Sequence, residues 1–204
     1  MLVEDGMAVG LGTGSTAGYF ISALAARRLD IRCVATSPAS AAQAAGLGLR
    51  VEAFEDSDAP TRLDLAVDGA DQVAADRWVV KGNGGAHTRE KIVAAASERF
   101  VLIASSDKVV DRITAPIPLE LLVFGADATI ARLVHVRRRD AARTPDGGLL
   151  VDWIGPVEDP AELARRLSAE PGVVDHGLFP PELVTDVLVG RGDEVERLPD
   201  VPRP

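Results

Sequence analysis

Three segments of the sequence combine glycines, hydroxyl groups and charged side chains in patterns that can do chemistry. They are Gly10-Leu-Gly-Thr-Gly-Ser-Thr16, Asp68-Gly-Ala-Asp71 and Lys81-Gly-Asn-Gly-Gly-Ala-His-Thr-Arg-Glu90. Each follows a short apolar run of the kind that predicts a strand. Together they offer an anion cradle, a cation, two aspartates and a glutamate, which suits anion binding combined with acid–base chemistry.

The first segment lies between a predicted strand and a predicted helix. Its glycines allow backbone N–H groups to turn toward an anion, and the helix N-terminus adds a positive partial charge. The hydroxyls of Thr13, Ser15 and Thr16 can donate further hydrogen bonds. The segment therefore predicts an anion site. The alternative is a tight strand-to-helix turn in which Ser15 caps the helix.

Two common nucleotide-binding motifs do not fit this segment. A dinucleotide fingerprint needs glycine where Ser15 stands and an acidic residue after the second strand, which here ends in Thr36-Ser37. A P-loop needs Gly-Lys followed by serine or threonine, and no such sequence follows. We therefore expect an anion site of another kind.

Asp68 and Asp71 follow an apolar run that predicts a strand. Ligands of α/β sheets collect at the carboxyl ends of strands, where two carboxylates can perform acid–base chemistry or orient sugar hydroxyls. The alternative is a turn whose aspartates bond to their own backbone. Two carboxylates three residues apart, with no histidine close by in sequence, offer too few ligands for a convincing metal site, so we expect no metal.

The third segment sets Lys81 before a glycine loop that enters a helix. Glu90 is predicted to fall in the first turn or two of that helix. Taken singly, Glu90 can be explained by complementation of the helix dipole and Lys81 as a solvated strand end. Because all three segments lie at predicted strand ends, we expect their charged groups to converge.

The remaining polar residues carry weaker signals. Lys108 follows a further predicted strand and can face the same cleft. We expect the three histidines to be structural or at the surface, and the basic run Arg137-Arg-Arg139 to be a solvated strand edge. Cys33 is expected to be a small buried core residue.

The elements that must position these groups alternate along the first two thirds of the chain. Strands are predicted over residues 7–11, 31–35, 63–67, 78–80 and 100–104, with helices over 17–28, 38–46 and 88–96. Such alternation predicts an α/β domain with an open, mostly parallel sheet. A helix over 126–133, a hairpin of 134–138 with 149–154, a helix from Asp159-Pro160 to 169, and strands over 173–178 and 184–189 predict a smaller α+β lobe. We expect residues 1–124 with 186–204 to form the first domain and residues 125–185 the lobe.

Composition limits the class of partner. The 204 residues are 47% hydrophobic and 26% charged, which is typical of a globular protein with its own core. The net charge of 22 − 31 = −9 disfavours nucleic acid and anionic membranes as partners. We expect no membrane span, no signal peptide and a cytoplasmic location, because no long apolar stretch and no basic leader are present.

The three segments closely resemble signature segments of the type A ribose-5-phosphate isomerase family, in the family's order and spacing. The resemblance covers nearly the whole chain, and Thr88-Arg-Glu-Lys91 is its most specific part. It continues through Ser106-Asp-Lys108, Pro118-Leu-Glu120, Pro171-Gly-Val-Val174, Gly177-Leu-Phe179 and Asp186-Val-Leu-Val-Gly190.

The resemblance implies an enzyme that interconverts ribose 5-phosphate and ribulose 5-phosphate in the non-oxidative branch of the pentose phosphate pathway, with no cofactor. It implies an α/β domain with helices on both faces of the sheet, a ferredoxin-like lobe, and assembly as a homodimer or homotetramer. By motif, Glu90 corresponds to the general base, and Asp68, Asp71 and Lys81 to the other catalytic groups. The implied phosphate and substrate contacts are Thr13, Gly14, Ser15, Thr16, Gly69, Ala70, Gly82, Asn83, Gly84 and Lys108.

Three departures from the family pattern are visible. Only six residues precede the first predicted strand, so we expect the basic phosphate contact of the family's preceding helix to be missing. Gln72 stands where the family commonly has an acidic residue. The turn Thr144-Pro-Asp-Gly-Gly148 differs from the family's asparagine-bearing version.

An aldose–ketose isomerase needs one base that takes a proton and returns it, and positive charge where the enediolate oxygens develop charge. We assign Glu90 as the base and Lys81 as the main electrostatic stabiliser. Asp68 is assigned to ring opening or hydroxyl-proton transfer, and Asp71 to orienting hydroxyls or Lys81; these two roles can be exchanged. Two alternatives stay open: a non-catalytic sugar-phosphate sensor on the same fold, and a coenzyme A transferase-like enzyme with a nucleophilic glutamate.

Overall fold

The computed structural model describes residues 2–199, so Met1 and residues 200–204, which the sequence analysis assigned to the first domain, lie outside the described residues. Its strands and helices are, in chain order, β1 (Ala8–Leu11), α1 (Ser15–Ala26), β2 (Arg32–Ala35), α2 (Pro38–Gly46), β3 (Arg50–Glu52), β4 (Leu65–Gly69), β5 (Gln72–Ala74), β6 (Val79–Val80), α3 (His87–Ala95), β7 (Phe100–Ser105), β8 (Val109–Val110), β9 (Ile117–Leu121), α4 (Ala126–Leu133), β10 (Val136–Arg138), β11 (Leu149–Trp153), α5 (Pro160–Ser168), β12 (Val173–His176), β13 (Leu178–Phe179), β14 (Asp186–Arg191) and β15 (Glu194–Arg197). In this part of the chain no helix is long and apolar enough to cross a membrane.

Contacts between Cα atoms divide the chain into two units. The first unit contains residues 2–70, 89–107 and 182–199, and the second contains Asp71–Thr88 and Lys108–Pro181. These units are defined by contacts alone, and the domain boundaries given by the sequence analysis stay a prediction.

The first unit is built on a seven-stranded sheet with the order β15-β14-β7-β4-β1-β2-β3. The pairs β1–β2, β2–β3, β1–β4, β4–β7 and β7–β14 are parallel, and β15 pairs antiparallel with β14 at one edge. Because β1 and β4 are parallel neighbours, with Leu11 opposite Val67, the loops after both strands emerge at the same edge of the sheet.

Helices cover both faces of this sheet. Val9 and Leu11 point to one face, where they share a core cluster with Ile21 and Leu24 of α1. Successive residues of a strand point to opposite faces. Gly10 accordingly faces the other side, where a Cβ would lie 2.5 Å from Val93 of α3. The predicted α/β class with a mostly parallel sheet is confirmed.

The second unit contains the elements β9-α4-β10-β11-α5-β12, a βαββαβ order. Their four strands form an antiparallel sheet in the order β10-β11-β9-β12. This arrangement is ferredoxin-like, as the resemblance implied. A separate small sheet has the order β13-β6-β5-β8. The sequence analysis missed most of that sheet, because its strands are only two or three residues long.

Cys33 lies in β2 in the middle of the first unit's core and is 0% exposed, which confirms the expectation of a buried core residue. Burial raises the pKa of the Cys33 thiol to about 11, with a smaller contribution from the nearby carboxylate of Glu52.

Candidate active site

The glycine loop of residues 10–16 follows β1 and enters α1, as predicted. Gly14 is the N-cap of α1 with φ 101° and ψ 177°, a conformation that favours glycine, and no side chain caps this end. The alternative in which Ser15 caps the helix is therefore wrong. Gly14, Ser15 and Thr16 are exposed at the helix N-terminus, where a phosphate can reach their N–H and hydroxyl groups.

Thr13 joins the loop to the end of β2. Its Oγ1 and the Oγ1 of Thr36 are 2.7 Å apart, and the Thr36 hydroxyl also donates to the Leu11 carbonyl at 3.2 Å. The Thr13 side chain is thus bonded to the end of β2.

Asp68, near the end of β4, is packed against the same loop. Its Oδ1 accepts hydrogen bonds from the N–H groups of Thr13 at 3.0 Å and Gly69 at 2.7 Å, and the residue is only 2% exposed. A Cβ at Gly12 would lie 2.0 Å from that Oδ1, so the glycine leaves the space that Asp68 fills. The alternative, a turn aspartate that bonds to its own backbone, is therefore correct in part. Asp68 accepts from the N–H of the next residue, Gly69, but it also fixes the glycine loop through Thr13.

Glu90 lies in the first turn of α3, as the sequence predicted, and is 4% exposed. The helix is held close to the sheet because Gly10 offers no side chain against Val93. Across the loop, a Cβ at Gly69 would lie 3.7 Å from Cβ of Thr16. The first unit therefore contains the glycine loop, Asp68, Gly69, Ala70 and Glu90.

The lysine loop, residues 81–85, lies in the second unit. Lys81 is 3% exposed, which excludes a solvated strand end. Its N–H donates to the Gly177 carbonyl at 2.9 Å, and its Nζ lies 5.7 Å from the ring centroid of Phe179, within cation–π range. A Cβ at position 177 would lie 2.1 Å from the Lys81 carbonyl oxygen, so this approach requires glycine.

Asp71 bonds to the lysine loop and to the strand that precedes it, β6. Its Oδ2 accepts from the N–H of Asn83 at 3.0 Å, and its own N–H donates to the Val80 carbonyl at 2.8 Å. The structure therefore brings Asp71, Lys81 and Asn83 together within the second unit. Lys108 belongs to the same unit and is half-buried at the end of a 3₁₀ turn over Ser106–Lys108.

Arg139 departs from the expected solvated strand edge. Arg137 and Arg138 are exposed, with side chains 67% and 57% accessible, as expected. The Arg139 side chain is only 14% accessible, bonds to Asp152 through Nε at 2.8 Å and Nη2 at 2.6 Å, and donates from Nη1 to the Gly82 carbonyl at 2.9 Å. Sequence reasoning missed this contact, since the three arginines look alike in a run.

A buried glutamate anchors the start of α3. Glu120, 2% exposed in β9, accepts from the hydroxyl of Thr144 at 2.6 Å through Oε1 and from the hydroxyl of Thr88 through Oε2. The Thr144 hydroxyl in turn accepts from the Gly148 N–H at 2.8 Å. One signal could have pointed to this network, namely a lone acidic residue inside an apolar strand.

The structure also places the three histidines and Gln72. His87 and His176 are buried, at 0% and 5% exposed. His135 is exposed and packs against Trp153 with ring centroids 5.4 Å apart. Gln72 bonds to the backbone of Thr114 at both ends of its amide, at 2.8 and 2.9 Å. Among residues 2–199 no three histidine, cysteine or acidic side chains are grouped as metal ligands would be.

Comparison with known proteins identifies the family. A family model described as ribose 5-phosphate isomerase A (phosphoriboisomerase A) matches residues 32–194. A relative of that name from Caulobacter vibrioides is 45% identical, covering 97% of this chain and 92% of its own. A crystal structure of ribose 5 phosphate isomerase A from Neisseria gonorrhoeae superposes with a TM-score of 0.91 at 29% identity, covering 98% and 92% of the two chains.

A third match is a D-ribose-5-phosphate isomerase described in complex with phospho-erythronic acid. It has a TM-score of 0.87 and 30% identity, and covers 96% of this chain and 92% of its own. These matches define an enzyme of an aldose–ketose isomerase family. The chain belongs to the ribose 5-phosphate isomerase A family, which confirms the resemblance read from its motifs.

Proposed function

We propose that this chain interconverts ribose 5-phosphate and ribulose 5-phosphate through an enediolate, with Glu90 as the single general base. The observation that carries the proposal is the position of Glu90: a carboxylate, 4% exposed, in the first turn of a helix whose unit also holds an open glycine loop. Family membership supplies the reaction, and the buried carboxylate supplies a group suited to its central step.

The central step is a proton transfer between adjacent carbons. The Glu90 carboxylate takes the proton from C2 of the open-chain aldose, leaving an enediolate, and returns it to C1 to give the ketose. One group can both accept and return the carbon-bound proton, because the C–H bond that breaks and the C–H bond that forms lie on neighbouring carbons. For the step to balance, the proton of the C2 hydroxyl passes to the C1 oxygen, which becomes the hydroxyl of the ketose. The exclusion of water around Glu90 favours return of the proton to the sugar rather than its loss to solvent.

Lys81 is proposed to stabilise the negative charge that develops on the enediolate oxygens. Its burial supports this role, because a cation removed from bulk water interacts more strongly with a charge forming nearby. Its backbone bond to Gly177 and the ring of Phe179 favour one side-chain direction.

The two aspartates are proposed to have different roles. Asp71 accepts from the Asn83 N–H, which favours a role in orienting the lysine loop. Asp68 is fixed by two N–H donors to its Oδ1, which supports a role for its other oxygen in ring opening or hydroxyl-proton transfer. We propose backbone contacts to substrate from Gly69, Ala70, Gly82, Asn83 and Gly84.

The phosphate is proposed to bind at the N-terminus of α1, on the N–H groups and hydroxyls of Gly14, Ser15 and Thr16, with Lys108 as the cation. The exposure of these three residues supports the assignment. A similar D-ribose-5-phosphate isomerase is described in complex with phospho-erythronic acid, which supports a phosphorylated ligand for this chain. Neutral donors at a helix N-terminus suit a group that is held but not transformed.

The test is a direct assay of ketopentose phosphate formation by wild type and Glu90→Gln. The amide keeps the shape of the side chain but cannot accept a carbon-bound proton, so kcat should fall by about 10²–10⁴ with KM little changed. Exchange of the C2 proton in deuterated water should vanish in parallel. Glu98→Gln is the control, because this exposed glutamate pairs with Arg62 at the surface and should leave kcat unaltered.

The outcomes separate the alternatives. A variant that retains more than about a tenth of wild-type kcat would assign the base to another group, with Asp68 next in line. A wild-type protein that binds ribose 5-phosphate without turnover would be a sensor. A hydroxylamine-trapped acyl-glutamate would indicate a transferase.

We also propose that the chain works in the cytoplasm, in the non-oxidative branch of the pentose phosphate pathway, as a homodimer or homotetramer. Three consecutive apolar residues favour assembly, since Leu122, Val123 and Phe124 are 54%, 51% and 95% exposed. Light scattering after size-exclusion chromatography measures the number of copies directly, and a monomer at micromolar concentration would contradict the assembly.

A further inference from the structure

A buried ion pair in the second unit reaches the backbone of the lysine loop. Arg139 holds Asp152 with two N–H groups, at 2.8 and 2.6 Å, and both side chains are largely buried, at 14% and 8% accessible. Its third group, Nη1, donates to the Gly82 carbonyl at 2.9 Å. Because a guanidinium is planar, the two bonds to Asp152 determine the direction in which Nη1 points.

The Gly82 carbonyl lies at the start of the turn formed by the lysine loop. Gly82 has φ +114°, and a Cβ there would lie 2.7 Å from His87 Nδ1 and 2.8 Å from Cβ of Pro118. The same carbonyl accepts from the Gly85 N–H at 3.0 Å, which closes the turn. Glycine samples many backbone conformations, so an external hydrogen bond to this carbonyl selects one of them.

Lys81 is thereby held on both sides. Its own N–H donates to the Gly177 carbonyl on one side, and on the other side the carbonyl of the following residue, Gly82, accepts from Arg139 Nη1. We propose that Arg139 is a positioning residue that sets the direction of Lys81 through the Gly82 carbonyl, and that Asp152 orients Arg139 for this purpose. This inference rests on the proposed function, in which Lys81 stabilises the enediolate.

The chain offers a matched control two residues away. Arg137 is in the adjoining strand β10 and faces the same carboxylate, with Nη2 3.8 Å from Asp152 Oδ2, but its side chain is 67% accessible. Arg137→Lys therefore replaces a guanidinium beside Asp152 by the same change as Arg139→Lys, while leaving the Arg139 bond to Gly82 in place.

The first variants are Arg139→Lys and Arg137→Lys. A lysine keeps the charge but cannot maintain the forked pair and a third directed bond together. We expect Arg139→Lys to lower kcat by about tenfold to a hundredfold, the factor given by loss of one hydrogen bond to a charged group. KM should change by less than about threefold, since Lys81 acts on charge that forms in the transition state. Arg137→Lys should leave both constants at wild-type values.

A double variant distinguishes positioning from stability. In Arg139→Met with Asp152→Met both charges are removed together, which avoids leaving one buried charge alone and should preserve the unfolding midpoint. If Arg139 positions Lys81, this stable protein still has the low kcat of Arg139→Lys. Wild-type kcat in the double variant, or in Arg139→Lys, would overturn the inference.

Amide hydrogen exchange supplies a measurement that does not depend on turnover. The Asn83 N–H donates to Asp71 Oδ2 and the Gly85 N–H to the Gly82 carbonyl. Both N–H groups should exchange at least about tenfold faster in Arg139→Lys than in wild type or Arg137→Lys. Unchanged exchange would overturn the link between Arg139 and the loop. A wild-type protein that fails to isomerise ribose 5-phosphate would instead refute the proposed function, while the exchange result would still decide whether Arg139 holds the loop.

Discussion

Replacing Gly12 with alanine should force apart two strands that the candidate site needs together. A Cβ at this position would lie 2.0 Å from Asp68 Oδ1, 2.1 Å from its Cγ and 2.6 Å from its Cβ. The carboxylate can rotate away, but Cβ of Asp68 is fixed to β4. Strands β1 and β4 must therefore separate, which strains the bond from the Gly12 N–H to the Val67 carbonyl, now 2.9 Å.

The size of the effect follows from the bonds that are lost. Rotation of Asp68 removes the hydrogen bonds from Thr13 and Gly69, and water cannot replace them at a residue that is 2% exposed. Each bond to a charged group contributes about 1.5–3 kcal/mol, and overpacking costs about 1–3 kcal/mol more. A loss of at least about 3 kcal/mol lowers the unfolding midpoint of a chain this long by at least about 6 °C.

The assay is thermal unfolding followed by circular dichroism, combined with initial rates on ribose 5-phosphate. Gly6→Ala is the control, because no atom lies within 4 Å of the Cβ direction of Gly6; unlike Gly12, Gly6 has a positive φ, +84°. In Gly6→Ala the backbone strain alone should lower the free energy of unfolding by about 1–2 kcal/mol, and kcat should stay at the wild-type value. If Gly12→Ala is as stable and as active as Gly6→Ala, Asp68 does not lie against the glycine loop and our account of its placement is wrong.

Three further perturbations test other parts of the structure. Ser15→Ala and Thr16→Val should each raise KM for ribose 5-phosphate by about twofold to tenfold with kcat retained, because each removes one neutral hydrogen bond to a group that does not react. At pH 8 the native Cys33 thiol should alkylate about a hundredfold more slowly than a free cysteine, measured by mass spectrometry, because its pKa is raised from 9.0 to about 11. The stability contributed by the neutral thiol is complete below pH 9 and is lost as the pH rises toward 11. Asp159→Ala should cost about 1 kcal/mol, read from chemical denaturation, because its carboxylate caps α5 at the N–H groups two and three residues on.

Each of these has an outcome that contradicts it. A fall in kcat at constant KM would move Ser15 and Thr16 from the phosphate to the reacting carbons. Alkylation of Cys33 at the rate of a free thiol would contradict its burial in the core. An Asp159→Ala protein no less stable than the neighbouring exposed control Glu158→Ala would show that the cap contributes nothing.

Local signals explain what the sequence predicted well. Ser37 and Pro38 predicted the start of α2, and the structure has Ser37 as N-cap, accepting from the Ser40 N–H, with proline at the first position. Asp159 and Pro160 predicted α5 in the same way. The strands before the glycine loop and before Asp68 were found within two residues of their predicted bounds. These features depend on neighbours in sequence, so a single sequence contains them.

Features that depend on distant partners were not predicted. Residues 173–178 were expected to form one strand, but the structure has β12 ending at His176 and β13 beginning at Leu178, in different sheets. The break falls at Gly177, where the Lys81 carbonyl approaches too closely for any side chain. Strand β9 was also missed, because Pro118 within it weakens the strand signal and its pairing partners lie about 30 and 55 residues away.

The net charge of −9 and an anionic substrate are compatible because the local groups outweigh the distant ones. A cation about 4 Å from a developing negative charge contributes about 4 kcal/mol at an effective dielectric constant near 20. Nine surface charges at about 15 Å in water, screened over a Debye length of about 8 Å, together oppose it by less than about 0.5 kcal/mol. In the proposed mechanism the buried Lys81 acts at this short range, and so do the N–H groups at the start of α1. An extended polyanion would contact much of the acidic surface, so the composition argues against such a partner. A small sugar phosphate held by a few directed groups is compatible with the same net charge.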